Sequence, residues 1–186
     1  MSDLPQAGTR RIVTFVDDAG RSRISADQAA PRVMDFVETP GLRSSILWAT
    51  DSTPRLGGEP VDPAPGLTNG LPVPGGSVFM TLTLPPDAVY ASPGFDPIKA
   101  VAEQRAAMAG VVDLMEPDAP GFHRTDTLDY VIVLAGEVWL AVDDEEVCLA
   151  TGDIVVQIGA RHAWQNRSSQ PATLAVVLLG ATPPAK

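Results

Sequence analysis

Only two histidines occur among the 186 residues, His123 and His162, and each opens a segment of strand-like alternation. Side chains on a strand repeat every second residue, so His123 and Thr125 share one face, and His162, Trp164 and Asn166 share another. An imidazole titrates near neutrality and is a common metal ligand, so two of them brought together suit proton transfer or ion binding. Asp129 would add a carboxylate. It lies about 20 Å beyond His123 along a straight strand, and joins the histidines only if the chain reverses between Thr125 and Thr127. Trp164 is the aromatic expected in a pocket, whereas Trp48 and Trp139 are expected in the core or at an interface. Arg124 and Arg161 adjoin the histidines, and alternation turns both toward outer salt bridges. Tyr130 has the same problem beside Asp129, unless twist at the strand start turns it inward to meet a substrate.

Other chemistries find no support. No Ser-His-Asp nucleophile signature, phosphate-binding glycine loop or dinucleotide fingerprint is present. The acidic run Asp143 to Glu146 has no glycine and lacks EF-hand spacing, so it reads as a solvated hairpin tip. Cys148 is the single cysteine, which excludes an internal disulfide and a thiolate zinc cluster; it is expected to act as a small buried hydrophobe.

The segment from His123 through Asp129 to Gly136 resembles the first motif of the cupin superfamily, His-x-His followed by Glu and then Gly. The segment Gly152 to Asn166 resembles the second, with Gly152, Gly159, His162 and Asn166 in place. The spacer from Glu137 to Thr151 fits single-domain microbial cupins. Departures are Thr125 for the second His, Asp129 for Glu, Pro117 for the leading Gly, Gln157 for Pro, and a gap one residue short between Gly152 and Gln157. The wording His-Arg-Thr-Asp-Thr-Leu-Asp-Tyr is similar to a subgroup of single-barrel proteins in bacteria and fungi, some associated with secondary metabolism.

The resemblance implies an all-β, cupin-type double-stranded β-helix, a jelly-roll barrel, in which the chain reverses and brings Asp129 to the histidines. His123, Asp129 and His162 would then be the catalytic and metal-binding residues, two imidazoles and a carboxylate for iron, manganese or zinc. Thr125, Trp164, Asn166 and Tyr130 would line the substrate. Thr is a poor ligand and Asp reaches less far than Glu, so metal affinity is expected to be reduced. The expected function is a divalent-metal-dependent small-molecule enzyme, oxidoreductase or dioxygenase-like, or a lyase or isomerase. The alternative is a metal-free pocket in which His123 or His162 is a general base and Asp129 sets its tautomer, or a module that only binds a ligand. A homodimer is implied as well.

The elements needed to position these residues can be read from the chain. Arg11 to Val16 and Arg21 to Ser25 read as a hairpin around Asp17 to Gly20, and Arg43 to Thr50 and Ser77 to Leu84 as further strands. Residues 51–76, rich in Pro and Gly, read as a connection that wraps a surface or reaches another subunit. Asp96 as N-cap and Pro97 predict one short helix ending at Gly110, with Ile98, Val101 and Met108 on one face. Short strands then follow at Val111 to Met115, Leu128 to Leu134, Glu137 to Val142, Glu146 to Leu149, Ile154 to Gln157, His162 to Asn166 and Ala172 to Leu179. The division expected is 1–76 as N-terminal strands and linker packing on the barrel or on a partner subunit, 77–181 as the barrel and 182–186 as a tail.

At this length one core is expected. A formal net charge of −10 repels phosphate backbones and anionic lipid, which argues against nucleic acid or membrane; a small organic substrate is what the resemblance implies. No apolar run approaches a membrane span and the first residues do not read as a secretory leader, so the cytoplasm is expected.

Overall fold

The computed structural model describes residues 9–51, 53–54 and 56–183. Strands β1 (Arg10–Val16), β2 (Ser22–Ala29), β3 (Arg32–Asp35), β4 (Arg43–Thr50) and β5 (Ser77–Leu84) precede helix α1 (Pro97–Ala107). Strands β6 (Thr127–Ala135), β7 (Glu137–Ala141), β8 (Glu146–Ala150), β9 (Ile154–Ile158), β10 (Ala163–Gln165) and β11 (Ala172–Gly180) follow it. A six-stranded sheet in the order β3-β4-β5-β11-β6-β9 packs against a three-stranded sheet in the order β10-β7-β8, with antiparallel pairing throughout. This is the two-sheet, jelly-roll type of barrel expected from the sequence.

Strand β6 shows why the site forms where it does. Thr127, Asp129, Val131 and Val133 are buried along one face, while Tyr130 and Leu134 on the other are exposed. Toward the strand's end the buried row is apolar, and Val131 and Val133 join Val138, Leu140 and Leu149 of the smaller sheet and Leu174, Val176 and Leu178 of β11. Toward its start the row becomes polar, so one end of the barrel interior is apolar core and the other is hydrogen-bonding pocket.

The N-terminal strands do not stand apart from residues 77–181. Strand β4 pairs with β5 from Arg43↔Thr83 to Thr50↔Ser77, extending the barrel's sheet across the expected boundary. The β1–β2 hairpin is pinned over this sheet by Arg11, whose guanidinium donates to Leu47 O at 2.8 Å and to Asp62 at 2.5 Å. The connection 51–76 wraps its own barrel: Gly70 N donates to Ala109 O and Gly75 N to Gly180 O, both at 2.9 Å, and Ala64 is buried.

Three expectations need correction. Val111–Leu114 is a 3₁₀ turn, not a strand; the Asp113 carboxylate accepts from Gly110 N at 3.0 Å, and Gly110 adopts a φ of 115° that turns the chain. Helix α1 is capped by Asp96 as expected, accepting from Ile98 N at 3.0 Å and Lys99 N at 3.2 Å. Its buried residue is Ala100, however, and Ile98 is 80% exposed. Cys148 is exposed, because it lies opposite Trp139 on the edge strand β8. The first eight residues, on which the absence of a leader was read, and residues 184–186 of the tail lie outside the described residues. No helix among the described residues is long and apolar enough to cross a membrane.

Candidate functional site

The two histidines face each other across an isolated antiparallel bridge, each backbone N–H donating to the other's carbonyl at 3.0 Å. Their rings lie 4.3 Å apart, tilted by 57°. His123 Nδ1 is 3.0 Å from Gly121 O, and His162 Nδ1 is 2.9 Å from Ala160 O. A carbonyl oxygen only accepts, so both rings carry their proton on Nδ1 and present a lone pair at Nε2. The His162 lone pair accepts from Gln157 Nε2 at 3.1 Å. His123 Nε2 has no hydrogen-bond partner among the described residues.

Asp129 reaches the same pocket because Arg124 to Asp126 form an irregular step between the His123 bridge and the start of β6. Gln157 on β9 lies directly opposite Asp129 in the ladder, and its amide nitrogen donates to Asp129 Oδ2 at 3.1 Å. One NH2 group therefore bridges a carboxylate and an imidazole. Two acceptor atoms, Asp129 Oδ1 and Gln157 Oε1, are buried without a partner. The hydroxyls of Thr125 and Thr127 share a hydrogen bond of 2.7 Å, and His123, Thr125, Thr127, Asp129, Gln157 and His162 are all buried.

Burial sets the electrostatics of this cluster. It lowers the His162 pKa to about 4, helped by the neighbouring His123 and opposed by the Ala160 carbonyl, so this ring is neutral at physiological pH. Burial also pushes the Asp129 carboxyl above its ordinary value, against the pull of Thr127, Gln157 and His123.

Of the residues expected from the sequence, His123, Thr125, Asp129 and His162 are brought together. Trp164 stands edge-on to His162 at 6.1 Å. Asn166 is engaged elsewhere: its Nδ2 donates to Leu84 O at 3.1 Å and Gln170 O at 2.8 Å, and its Oδ1 accepts from Ser168. It ties the β10–β11 loop to β5. Tyr130 is 42% exposed on the outer side of β6, away from the pocket. Arg161 braces the outside, pairing with Glu116 and Asp143 and lying 4.2 Å over Phe122.

Gln157 and Thr127 are the site residues the sequence reading did not single out. Gln157 stood there only as a replacement for Pro, yet it shares the inward face of β9 with Val155 and precedes His162 by five residues. A cleft of about 460 Å³ lined by Arg124, Asp143, Asp144, Glu145 and Arg161 lies beside these segments and takes in none of the clustered site residues.

As arranged here, the donors His123, Asp129 and His162 do not fit a bound metal. No group of three His, Cys, Asp or Glu side chains among the described residues is gathered to hold an ion. A neutral imidazole nitrogen has one lone pair, and that of His162 is already taken by the Gln157 amide.

Two antiparallel sheets thus enclose a buried histidine cluster at one end of a jelly-roll type of barrel. In agreement, residues 111–178 match the Cupin_2 family model, described as a cupin domain, which supports the cupin superfamily. Phomopsin biosynthesis cluster protein C' from Diaporthe leptostromiformis is 42% identical over 59 residues, 31% of this chain and 31% of that protein. Oryzines biosynthesis cluster protein J from Aspergillus oryzae is 37% identical over 79 residues, 41% of this chain and 44% of that protein. The similarity thus spans less than half the length of these curated relatives. Among solved structures, a Cupin 2 conserved barrel domain protein from Salinispora arenicola superposes with a TM-score of 0.40 at 15% identity, over 75% of this chain and 76% of that one. A sugar phosphate isomerase of the cupin superfamily from Silicibacter pomeroyi gives 0.40 at 16%, over 76% and 61%.

Proposed function

We propose that the chain is a small-molecule enzyme of the cupin type that moves a proton on an organic metabolite, with His123 as the group that takes and returns it. The observation that carries this reading is the unengaged Nε2 of His123 beside a neutral His162. The Gly121 carbonyl fixes the tautomer, so the lone pair is always at Nε2. When Nε2 takes a proton, the imidazolium keeps its Nδ1–H bond and gains from the Asp129 charge nearby. Gln157 holds that carboxylate in place. Thr125 and Thr127 supply hydroxyls for a polar group of the substrate, and Trp164 an apolar wall. This is the equipment of a lyase or isomerase step next to a carbonyl. The relatives from biosynthetic clusters support a secondary metabolite as the substrate class.

The test is incubation in D₂O with a panel of β-keto acids and α-hydroxy ketones, followed by proton NMR. Exchange or conversion that survives a chelator and falls by roughly 100-fold in His123→Gln is expected. Turnover that requires an added divalent ion would overturn the reading. Saturable thermal stabilisation by a panel compound without any exchange would leave a binding module instead.

We further infer that two copies pair through the outer face of β6 and β9. Ile154, Val156 and Ile158 on β9 are 68%, 57% and 74% exposed, beside Tyr130 and Leu134 on β6. The registers Tyr130↔Val156 and Ile132↔Ile154 make this one continuous apolar surface. No charged side chain interrupts β9, in a chain of net charge −10.

A further inference from the structure

We infer that the side-chain amide of Gln157 excludes divalent metal from the pocket. Its nitrogen lies 3.1 Å from Asp129 Oδ2 and 3.1 Å from His162 Nε2. Both are pure acceptors in this setting: the carboxylate carries no proton to donate when charged, and the imidazole proton is on Nδ1, directed at Ala160 O. The amide orientation follows, because the reverse would set Oε1 against two acceptors. Each of the two N–H groups thus has its own acceptor.

A metal bound at the same place would need those same lone pairs, at about 2.0–2.2 Å from nitrogen and oxygen. His162 Nε2 has only one, so metal and amide are mutually exclusive at this atom. Nor is the amide easily moved aside. Gln157 is 4% exposed and paired with Asp129 across the β6–β9 ladder. The same side chain that withholds His162 from a metal keeps Asp129 oriented beside His123, so Gln157 is also a positioning residue for the carboxylate.

Removing the amide should free the His162 lone pair and Asp129 Oδ2 for an ion. The experiment is titration of purified full-length protein with Co²⁺ alone, read by visible absorption and by metal retained after gel filtration. The wild type should retain no stoichiometric cobalt. Gln157→Ala and the longer, donor-free Gln157→Met should bind it on the order of 10- to 100-fold more tightly, with a visible band that disappears in Gln157→Ala/His162→Ala. Cooperative urea unfolding establishes that each variant is folded. Stoichiometric cobalt in the wild type that is lost in His162→Ala would overturn the inference without any variant at 157. So would folded Gln157 variants that gain no affinity. Metal uptake and proton exchange are separate readouts, so failure of the acid–base reading leaves metal exclusion standing, and the converse holds.

Discussion

His162 is a buried imidazole held neutral, and that makes the fold sensitive to acid. Its pKa falls from 6.5 to about 4 in the folded chain, chiefly through burial. As pH drops below 6.5 the unfolded chain takes up the proton first, so stability present above that pH is lost as the pH falls toward 4. The shift corresponds to about 3 kcal/mol. Urea midpoints at pH 7.5 and pH 4.5 should differ strongly for the wild type and much less for His162→Gln; equal differences would show that other groups govern acid unfolding. Asp129 acts in the opposite sense. Its folded pKa is raised by burial, so its contribution is present below the ordinary carboxylate value of 3.8 and is lost as pH rises through the folded one. At neutral pH its buried charge therefore costs stability. Asp129→Asn should hold or raise the urea midpoint at pH 7.5 while lowering proton exchange, since the asparagine no longer supports a charged His123. A variant that is both less stable and fully active would contradict the role given to this carboxylate.

At the scale of elements, local signals carried furthest where one residue decides. The bounds read for Arg43 to Thr50 and Ser77 to Leu84 coincide with β4 and β5, because charged or small residues and Pro85-Pro86 punctuate them. Asp96 and Pro97 placed the helix start for the same reason. What escaped the sequence depends on partners distant along the chain. Strand β3 is four residues that exist through pairing with β4. Val111 to Met115 is apolar enough for a strand, and a side chain–backbone bond from Gly110 to Asp113 folds it instead. The role of Gln157 rests on its register with Asp129, 28 residues earlier, which no local spacing reveals. The histidines were legible because they are few and sit in patterned segments; the amide between His162 and Asp129 was not.

The β6–β7 turn offers a test of this dependence on exact backbone form. Gly136 has a φ of 80°, and a Cβ there would meet Pro171 O at 2.8 Å and Ala172 Cα at 2.9 Å. Gly136→Ala should therefore lower stability by more than ~1 kcal/mol, from left-handed strain and the clash together. Asp96→Ala, which removes a cap from an exposed helix, should cost about 1 kcal/mol. Thermal midpoints in that order would agree; a neutral Gly136→Ala would place the turn differently from the structure.

For the molecule as a whole, strand β9 would link the proposed association to the pocket. It is an edge strand of the six-stranded sheet, its outward residues are apolar, and it carries neither Lys nor Pro to discourage pairing. An uncovered edge of this kind invites aggregation, and the two-fold pairing proposed above would cover it with the same surface on both sides. Gln157 lies on β9 between Val156 and Ile158, pointing inward while they point outward. A partner on the outer face would therefore restrain the strand whose Gln157 holds Asp129 and His162. Val156→Lys places a charge in the middle of that face without touching the buried cluster. Sedimentation velocity at micromolar concentration should show a dimer for the wild type and a monomer for Val156→Lys, with faster backbone amide exchange over residues 154–158 in the variant. A wild type that remains monomeric at those concentrations would remove the dimer. A monomeric variant whose β9 amides are as protected as the wild type's would mean that β6 alone holds the strand, and that the pocket does not depend on association.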